Sequence, residues 1–359
     1  VYPALAVAEA VSTYQPGSKL YFVGSLNGFE RPLVEKGGVV FTAYDEVRAG
    51  PLHGVGVQRV LRSLVDLAVG TVQSWRLIGE YKPNVLLLTG GYVGFPVAVA
   101  AWTRRVPALI YLPDIEPALS IKVLRWLAAR VAITVPESAA YFREGRTVVT
   151  GYPVRAEMAV ATREAAIERF KLAPQRPILL VFGGSRGAQS INTAIMGILP
   201  QLLAGGVQVV HVAGTLDHER VAAAVGVGPD AGYHLFPYLH GADMGLAMAA
   251  ADLAVSRAGA SVIGEFPLFA LPSVLVPYPY AWRYQKVNAD WLAERGAAVY
   301  MADAEMMTDL YPTLNGLFTN EEQLATMRDK AAALAQPGSA RRVVDTLAEI
   351  ARERNGAKG

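Results

Sequence analysis

One segment narrows the choice of fold more than any other: Leu179–Asn192, reading LLVFGGSRGAQSIN. The apolar run Ile178–Phe182 meets Gly183-Gly184-Ser185-Arg186-Gly187, and helical spacing opens at Ala188, with apolar positions at Ile191, Ile195 and Leu199. An unbroken apolar run bounded by a glycine turn reads as a parallel strand covered on both faces. Glycine lets the backbone come close to a ligand. The unpaired first-turn N–H groups of the following helix carry partial positive charge, so the corner suits a diphosphate. A glycine turn alone would serve equally well as a plain strand-to-helix connection.

A second such corner lies further on. The short apolar strand Ala251–Val255 runs into Ser256-Arg257-Ala258-Gly259-Ala260-Ser261-Val262-Ile263-Gly264-Glu265. Glu265, expected two turns into that helix, has two acceptor oxygens and can take both hydroxyls of a ribose. The usual fate of a glutamate is a solvated face, but Phe266, Pro267, Leu268 and Phe269 follow it directly. Together the two corners fit a nucleotide diphosphate.

The rest of the chain keeps the same βα alternation, which implies an α/β protein with parallel sheets and helices on both faces. Strands are expected at Leu20–Val23, Val39–Ala43, Val85–Leu88, Ala108–Leu112, Val131–Thr134 and Thr147–Thr150. A second set is expected at Ile178–Phe182, Gln208–Val212, Tyr233–Phe236, Leu253–Val255, Ser273–Val276 and Ala298–Met301. Two sets of six, in 359 residues, imply twin Rossmann-like domains. The boundary falls near Gly151–Arg155, where a proline blocks the strand and a charged helix, Arg163–Phe170, follows. The expected division is therefore residues 1–153, residues 154–338, and a surface helix with a tail over 339–359. Val1 sits inside a helix-like segment, so a first strand and its loop are expected to precede it.

Composition removes several classes of function. A net charge of +2 is no nucleic-acid footprint. No cysteine means no disulfide, thiolate metal site or thiol catalysis, and fits a reducing cytoplasm. No apolar run is long enough to span a bilayer, and no signal peptide is visible. The five histidines show no ligand spacing, and His211, within an apolar strand, reads as a core or wall residue. No metal or other cofactor is expected.

Other segments carry weaker signals. Gly90-Gly91-Tyr92, within Thr89–Pro96, forms a glycine turn after a strand, as much a packing turn as a site. Asp114 and Glu116 follow the next strand, as a general base or as caps of the helix starting near Ala118. The segment Pro277–Asn288 offers aromatic faces and amides suited to a sugar, or simply a packed interdomain loop. Gln285 and Asn288, three apart on a helix, share a face. The stretches Val57–Tyr81 and Ile121–Val131 interleave apolar residues with Arg, Lys and Trp, as half-buried helices or as helices resting on an anionic membrane surface.

In order and spacing these motifs resemble the MurG family, which transfers N-acetylglucosamine from UDP-N-acetylglucosamine to lipid I, giving lipid II in peptidoglycan synthesis. Val1–Ala8 resembles the segment after that family's amino-terminal glycine loop, Thr89–Pro96 its GGYVS-type turn, and Thr150–Arg155 its TGNPVR. Gly183–Asn192 is similar to GGSQGA, and Ser256–Glu265 to CRSGALTVSE. The resemblance runs nearly end to end.

It implies a two-domain GT-B fold and inverting, metal-independent transfer. Arg155 and Ser185 would contact the diphosphate, with Gly183, Gly184, Arg186 and Gly187 forming its loop. Leu239 would offer backbone to the uracil, Ala260, Ser261, Val262, Ile263 and Gly264 would line the nucleotide, and Glu265 would hold the ribose. Gln285 would face the sugar, with Asn288 close by. Gly90, Gly91, Tyr92 and Asp114 would belong to the acceptor side, with Asp114 as candidate base. The implied location is the inner face of a bacterial plasma membrane, peripherally held. The chain departs from the family at Tyr111-Leu112-Pro113-Asp114, where HEQN is typical, and at Tyr284-Gln285, where two glutamines are typical. Two extra residues also fall within Leu239–Met244. Transfer to another lipid such as diacylglycerol, a non-catalytic nucleotide-sugar-binding protein and a UDP-sugar epimerase stay open as alternatives. The few acid and base groups near the sugar loop argue against the epimerase.

Overall fold

The computed structural model describes residues 1–28, 30–51, 56–184, 187–280 and 283–356. Its chain divides into two compact units, Val1–Arg155 with the segment from Gly338 onward, and Ala156–Pro337.

The first unit holds β1 (Tyr21–Ser25), β2 (Ala43–Val47), β3 (Leu86–Leu88), β4 (Ala108–Leu112), β5 (Arg130–Ile133) and β6 (Thr147–Val149). β1 and β2 pair as a parallel ribbon, and β3-β4-β5-β6 form a parallel sheet in that order. Every residue of β4 is buried, as its unbroken ALIYL run requires. One expected strand, Val39–Ala43, is displaced. Gly38 turns the chain at φ +72°, Val40 is 88 % exposed, and pairing starts only at Ala43 opposite Tyr21.

The closing helix, Ser339–Gly356, packs on the helix Tyr2–Tyr14 and buries Val343, Val344 and Ile350. Its Arg342 donates to the Thr150 carbonyl at 3.0 Å, and its Arg354 to that of Pro83 at 2.9 Å. Arg130 pairs with its Glu349 and Glu353. Expected as a surface helix with a tail, it is an integral layer of the first unit.

The second unit holds β7 (Ile178–Phe182), β8 (Gln208–Val212), β9 (Tyr233–Phe236), β10 (Leu253–Ser256), β11 (Ser273–Leu275) and β12 (Ala298–Tyr300). All are parallel, in the order β12-β11-β10-β7-β8-β9. Counted within this unit, that is the doubly wound order 3-2-1-4-5-6, whose topological switch lies between β7 and β10. Connections leave these two neighbours in opposite directions and open a crevice at their carboxyl ends. Both glycine corners of the sequence fall there. Ile191, Ile195, Leu199 and Leu202 of the helix Gln189–Ala204 pack with Val181 and Val255 in one buried cluster. Each such side chain contributes about 1.5–3 kcal/mol by leaving water, which fixes the helix start over the end of β7.

Candidate functional site

At two positions of the corner after β7, Gly183 and Gly187, a side chain is excluded. A Cβ on Gly183 would lie 2.2 Å from the Ala188 nitrogen, and one on Gly187 would lie 2.3 Å from the Ala213 carbonyl oxygen. Gly184 and Gly187 have φ of +92° and +80°, where non-glycine residues are strained. Ala188, at the N-cap of the helix Gln189–Ala204, makes no side-chain cap bond. The helix therefore keeps its uncapped first-turn donors at the carboxyl end of the sheet. Ser185 and Arg186 lie outside the described residues.

Beneath the corner runs a buried polar chain. Asn192 donates to the Ala213 carbonyl at 2.9 Å and to Asp217 at 2.6 Å. Its own oxygen only accepts, so His211 Nε2, 3.0 Å away, carries the proton. His211 Nδ1 therefore accepts from the Tyr233 hydroxyl at 2.8 Å. Burial pushes the His211 imidazole down to about 4 and raises the Tyr233 phenol. Arg220, forked onto both Asp217 oxygens at 2.6 and 2.7 Å, holds that carboxyl below its ordinary range. His211, read as a core or wall residue, thus orients Asn192, whose amide holds the Ala213 carbonyl that fills the space a side chain at Gly187 would need.

Across the switch, the helix Val262–Leu268 starts only three residues before Glu265, so this carboxylate sits in the first turn rather than two turns in. It is half-buried among Val262, Ile263 and Phe266, which are buried. Desolvation pushes its carboxyl up to about 7, against a hydrogen bond from Ser261 that favours the charged form. Ala260, Ser261 and Gly264 are half-exposed alongside it. The Leu239 side chain is buried in the loop before the helix Gly241–Ala250.

Gln285 opens the helix Tyr284–Glu294, and its oxygen accepts from the Tyr278 N–H at 2.8 Å. That bond orients the amide and leaves its NH₂ as the outward donor. Asn288 is fully buried and donates to the Ala258 carbonyl at 3.1 Å, tying the Ser256–Ser261 turn to this helix. Positions three apart on a helix differ by about 60° around its axis, enough for one to face the rim and the other the core.

Sequence reasoning gave no role to Arg257. It is 9 % exposed and donates to Ser190 at 2.7 Å, Asp303 at 2.5 Å and the carbonyls of Val276 and Pro277 at 3.1 and 3.3 Å. A surface cavity of about 400 Å³ opens beside this cluster, bordered by Ser190, Thr193, Asp303 and Met307.

In the first unit, Gly90 and Gly91 take φ of +88° and +82° after β3, and Tyr92 is exposed beside them. Asp114 lies half-buried just past β4, and Glu116 pairs with Lys122 at 3.7 Å. Tyr111 is fully buried, with its hydroxyl 3.0 Å from Thr134 and 3.4 Å from the Gly151 carbonyl. The departure at Tyr111 is a core substitution rather than a site residue. Arg155 donates to the Gly37 carbonyl at 2.9 Å.

The helix Val57–Tyr81 buries Ser63, Leu67, Ser74 and Ile78, while Leu61, Leu64, Val65, Val72 and Trp75 are exposed. Leu119, Val123 and Trp126 are exposed nearby in sequence to the helix Leu119–Leu124. Among the described residues, no helix is long and apolar enough to cross a membrane. Among them too, no group of three or more His, Asp or Glu is placed to hold a metal.

A doubly wound sheet with a glycine corner on one side of its switch and a desolvated carboxylate on the other is an architecture suited to a nucleotide, and the fold is that of the GT-B class. Family models agree: residues 1–133 match the glycosyltransferase family 28 N-terminal domain, and residues 178–343 its C-terminal domain. A UDP-N-acetylglucosamine–N-acetylmuramyl-(pentapeptide) pyrophosphoryl-undecaprenol N-acetylglucosamine transferase of Roseiflexus sp. is 38% identical, covering 97% of this chain and 91% of the relative. Its counterpart from Moorella thermoacetica is 35% identical, over 97% and 95%. The crystal structure of Acinetobacter baumannii MurG superposes with a TM-score of 0.74 at 26% identity, covering 97% and 95%. The chain belongs to the MurG family of glycosyltransferases. A Neisseria meningitidis UDP-GlcNAc 2-epimerase bound to UDP-GlcNAc, 11% identical with a TM-score of 0.65 over 97% of each chain, shares the fold alone.

Proposed function

We propose that this protein transfers N-acetylglucosamine from UDP-N-acetylglucosamine to lipid I, giving lipid II. The observation that carries this reading is the pair of corners flanking the β7/β10 switch, in a chain 38% identical to a named transferase of that reaction.

In the second unit, the Gly183–Gly187 loop and the first-turn N–H groups of the helix Gln189–Ala204 would receive the diphosphate, with Ser185 and Arg186 adding donors. Glu265 would take both ribose hydroxyls. Leu239, its side chain committed to the core, would offer backbone to the uracil. Ala260–Gly264 would pack along the nucleotide, and the outward NH₂ of Gln285 would donate to a sugar oxygen. Asn288 would act one step back, by fixing the Ala258 turn. The acceptor hydroxyl attacks the anomeric carbon as the bond to the β-phosphate breaks, and the configuration inverts. The charge that develops on the departing UDP falls where the corner donors point. On the acceptor side, with Gly90, Gly91 and Tyr92, Asp114 would take the hydroxyl proton. No metal enters this scheme.

The apolar stripe on Val57–Tyr81, with Arg62 and Arg76 beside it, would rest on an anionic leaflet, holding the enzyme peripherally on the inner face of a bacterial plasma membrane. The test is transfer itself. The protein is given UDP-N-acetylglucosamine with lipid I or with diacylglycerol, and the product is identified by mass. Lipid II is expected; product from diacylglycerol alone would replace the acceptor, and no product from either would refute the reading.

A further inference from the structure

We propose that Asp303 is a positioning residue for the UDP-sugar half-site, acting through Arg257. The inference rests on the reading of the second unit as the donor site. Asp303 follows β12 in the single turn Asp303–Glu305, and nothing in its local sequence marks it. One carboxylate oxygen accepts from Arg257 at 2.5 Å and from the Ser190 hydroxyl at 2.9 Å.

Arg257 joins three segments that the donor would touch. It grips Ser190 in the first turn of the helix after the glycine corner, and it belongs to the Ser256–Ser261 turn that leads to Glu265. It also holds the carbonyls of Val276 and Pro277, where the segment ending at Gln285 begins. The Tyr278 ring centroid is 5.3 Å from its guanidinium carbon, and the Tyr278 N–H orients Gln285. A planar, rigid donor fork suits this task. A nearly buried guanidinium also needs a counter-charge, and Asp303 supplies it.

Without that carboxylate, the guanidinium has open space to turn into, because the adjoining cavity borders both Ser190 and Asp303. Each turn away releases Val276, Pro277 and Ser190 together. Asp303 touches no part of the proposed donor, so its removal acts on how well the half-site is preorganised.

The test uses Asp303→Ala and Asp303→Asn in the whole protein, with donor kinetics at saturating acceptor, calorimetric titration with UDP, and thermal unfolding. Loss of a charge-assisted clamp predicts that Asp303→Ala raises donor KM and UDP Kd about tenfold or more, with kcat and acceptor KM within about twofold. Asp303→Asn keeps an acceptor oxygen without the charge and is expected to recover to about threefold above wild type. Wild-type donor KM and Kd in folded Asp303→Ala would overturn the proposal, as would an equal loss in kcat and acceptor KM. If Asp303→Ala does not fold, Asp303→Asn decides: a raised donor KM at constant kcat supports the proposal, and unchanged parameters overturn it. Failure of the wild-type protein to bind UDP is a separate outcome, which removes the donor-site reading and this inference with it.

Discussion

Donor affinity should depend on pH through Glu265. Desolvation pushes this carboxyl from its ordinary 4.5 up to about 7 in the unliganded protein. A ribose diol donates two hydrogen bonds and so favours the ionised form. If binding returns the group to its ordinary value, binding releases about half a proton at pH 7 and nearly a whole one at pH 6. Affinity then scales with the ionised fraction of the free protein, and falls about tenfold between pH 8 and pH 6. UDP-N-acetylglucosamine is the ligand to use, because the terminal phosphate of UDP itself titrates with a pKa of about 6.

Calorimetry in two buffers of different ionisation enthalpy measures both the affinity and the proton released. Glu265→Gln removes the titration, so its affinity should be weaker at pH 8 and flat with pH. Unfolding gives a second check. A folded-state pKa raised from 4.5 to about 7 provides stability that is full below 4.5 and lost as pH rises through 7. The difference corresponds to about 3 kcal/mol, so Glu265→Gln should be more stable than wild type at pH 8 and nearly equal at pH 4. A pH-independent wild-type affinity, or a slope that survives in Glu265→Gln, would refute the reasoning.

Gly184→Val places a branched side chain at φ +92° on the open side of the corner, and should abolish UDP binding while far-ultraviolet circular dichroism stays native; retained binding moves the diphosphate elsewhere. Asp114→Asn should lower turnover by about 10²–10⁴-fold with UDP affinity intact, whereas full activity on lipid I excludes it as the base. Replacing Leu61, Val65 and Trp75 by serine should weaken sedimentation with anionic vesicles and leave UDP affinity unchanged; undiminished binding would point to another surface. His211 stays neutral in the fold down to about 4, while the unfolded imidazole protonates near 6.5. Its contribution is therefore intact above 6.5 and is lost, by about 3 kcal/mol, as pH falls to 4. Urea unfolding of His211→Gln should lack that component of the pH slope.

Strands buried on both faces were plain in the sequence, because runs such as Ile178–Phe182 and Gln208–Val212 have no alternative place to hide so much apolar surface. β2 was displaced for the opposite reason. Val39-Val40-Phe41 is apolar but follows a glycine turn, while the true strand, AYDEV, is half-exposed on a two-stranded ribbon and carries two acids. Both glycine corners were legible because strand, turn and helix are contiguous there. The Arg257–Asp303 clamp was not, since its partners lie 46 residues apart and only the sheet order brings them together. The spacing of Gln285 and Asn288 puts them on one helix face, but it does not distinguish rim from core.

The route of the closing helix bears on how the molecule is made. Arg130, Thr150 and Pro83 bond to residues 219, 192 and 271 positions later in the chain. Ala156–Pro337 is continuous, so every contact within it is available once Pro337 has left the ribosome. The unit that is begun first must wait for its last layer until Ser339–Gly356 has been synthesised. Contacts of such long separation form slowly, and a half-made first unit shows uncovered apolar surface for the whole interval. Birth order and completion order are thus reversed, and a nascent chain ending at Pro337, held on a stalled ribosome by an added linker long enough to clear the exit tunnel, should carry a finished second unit beside an unfinished first, a state that protease digestion would display.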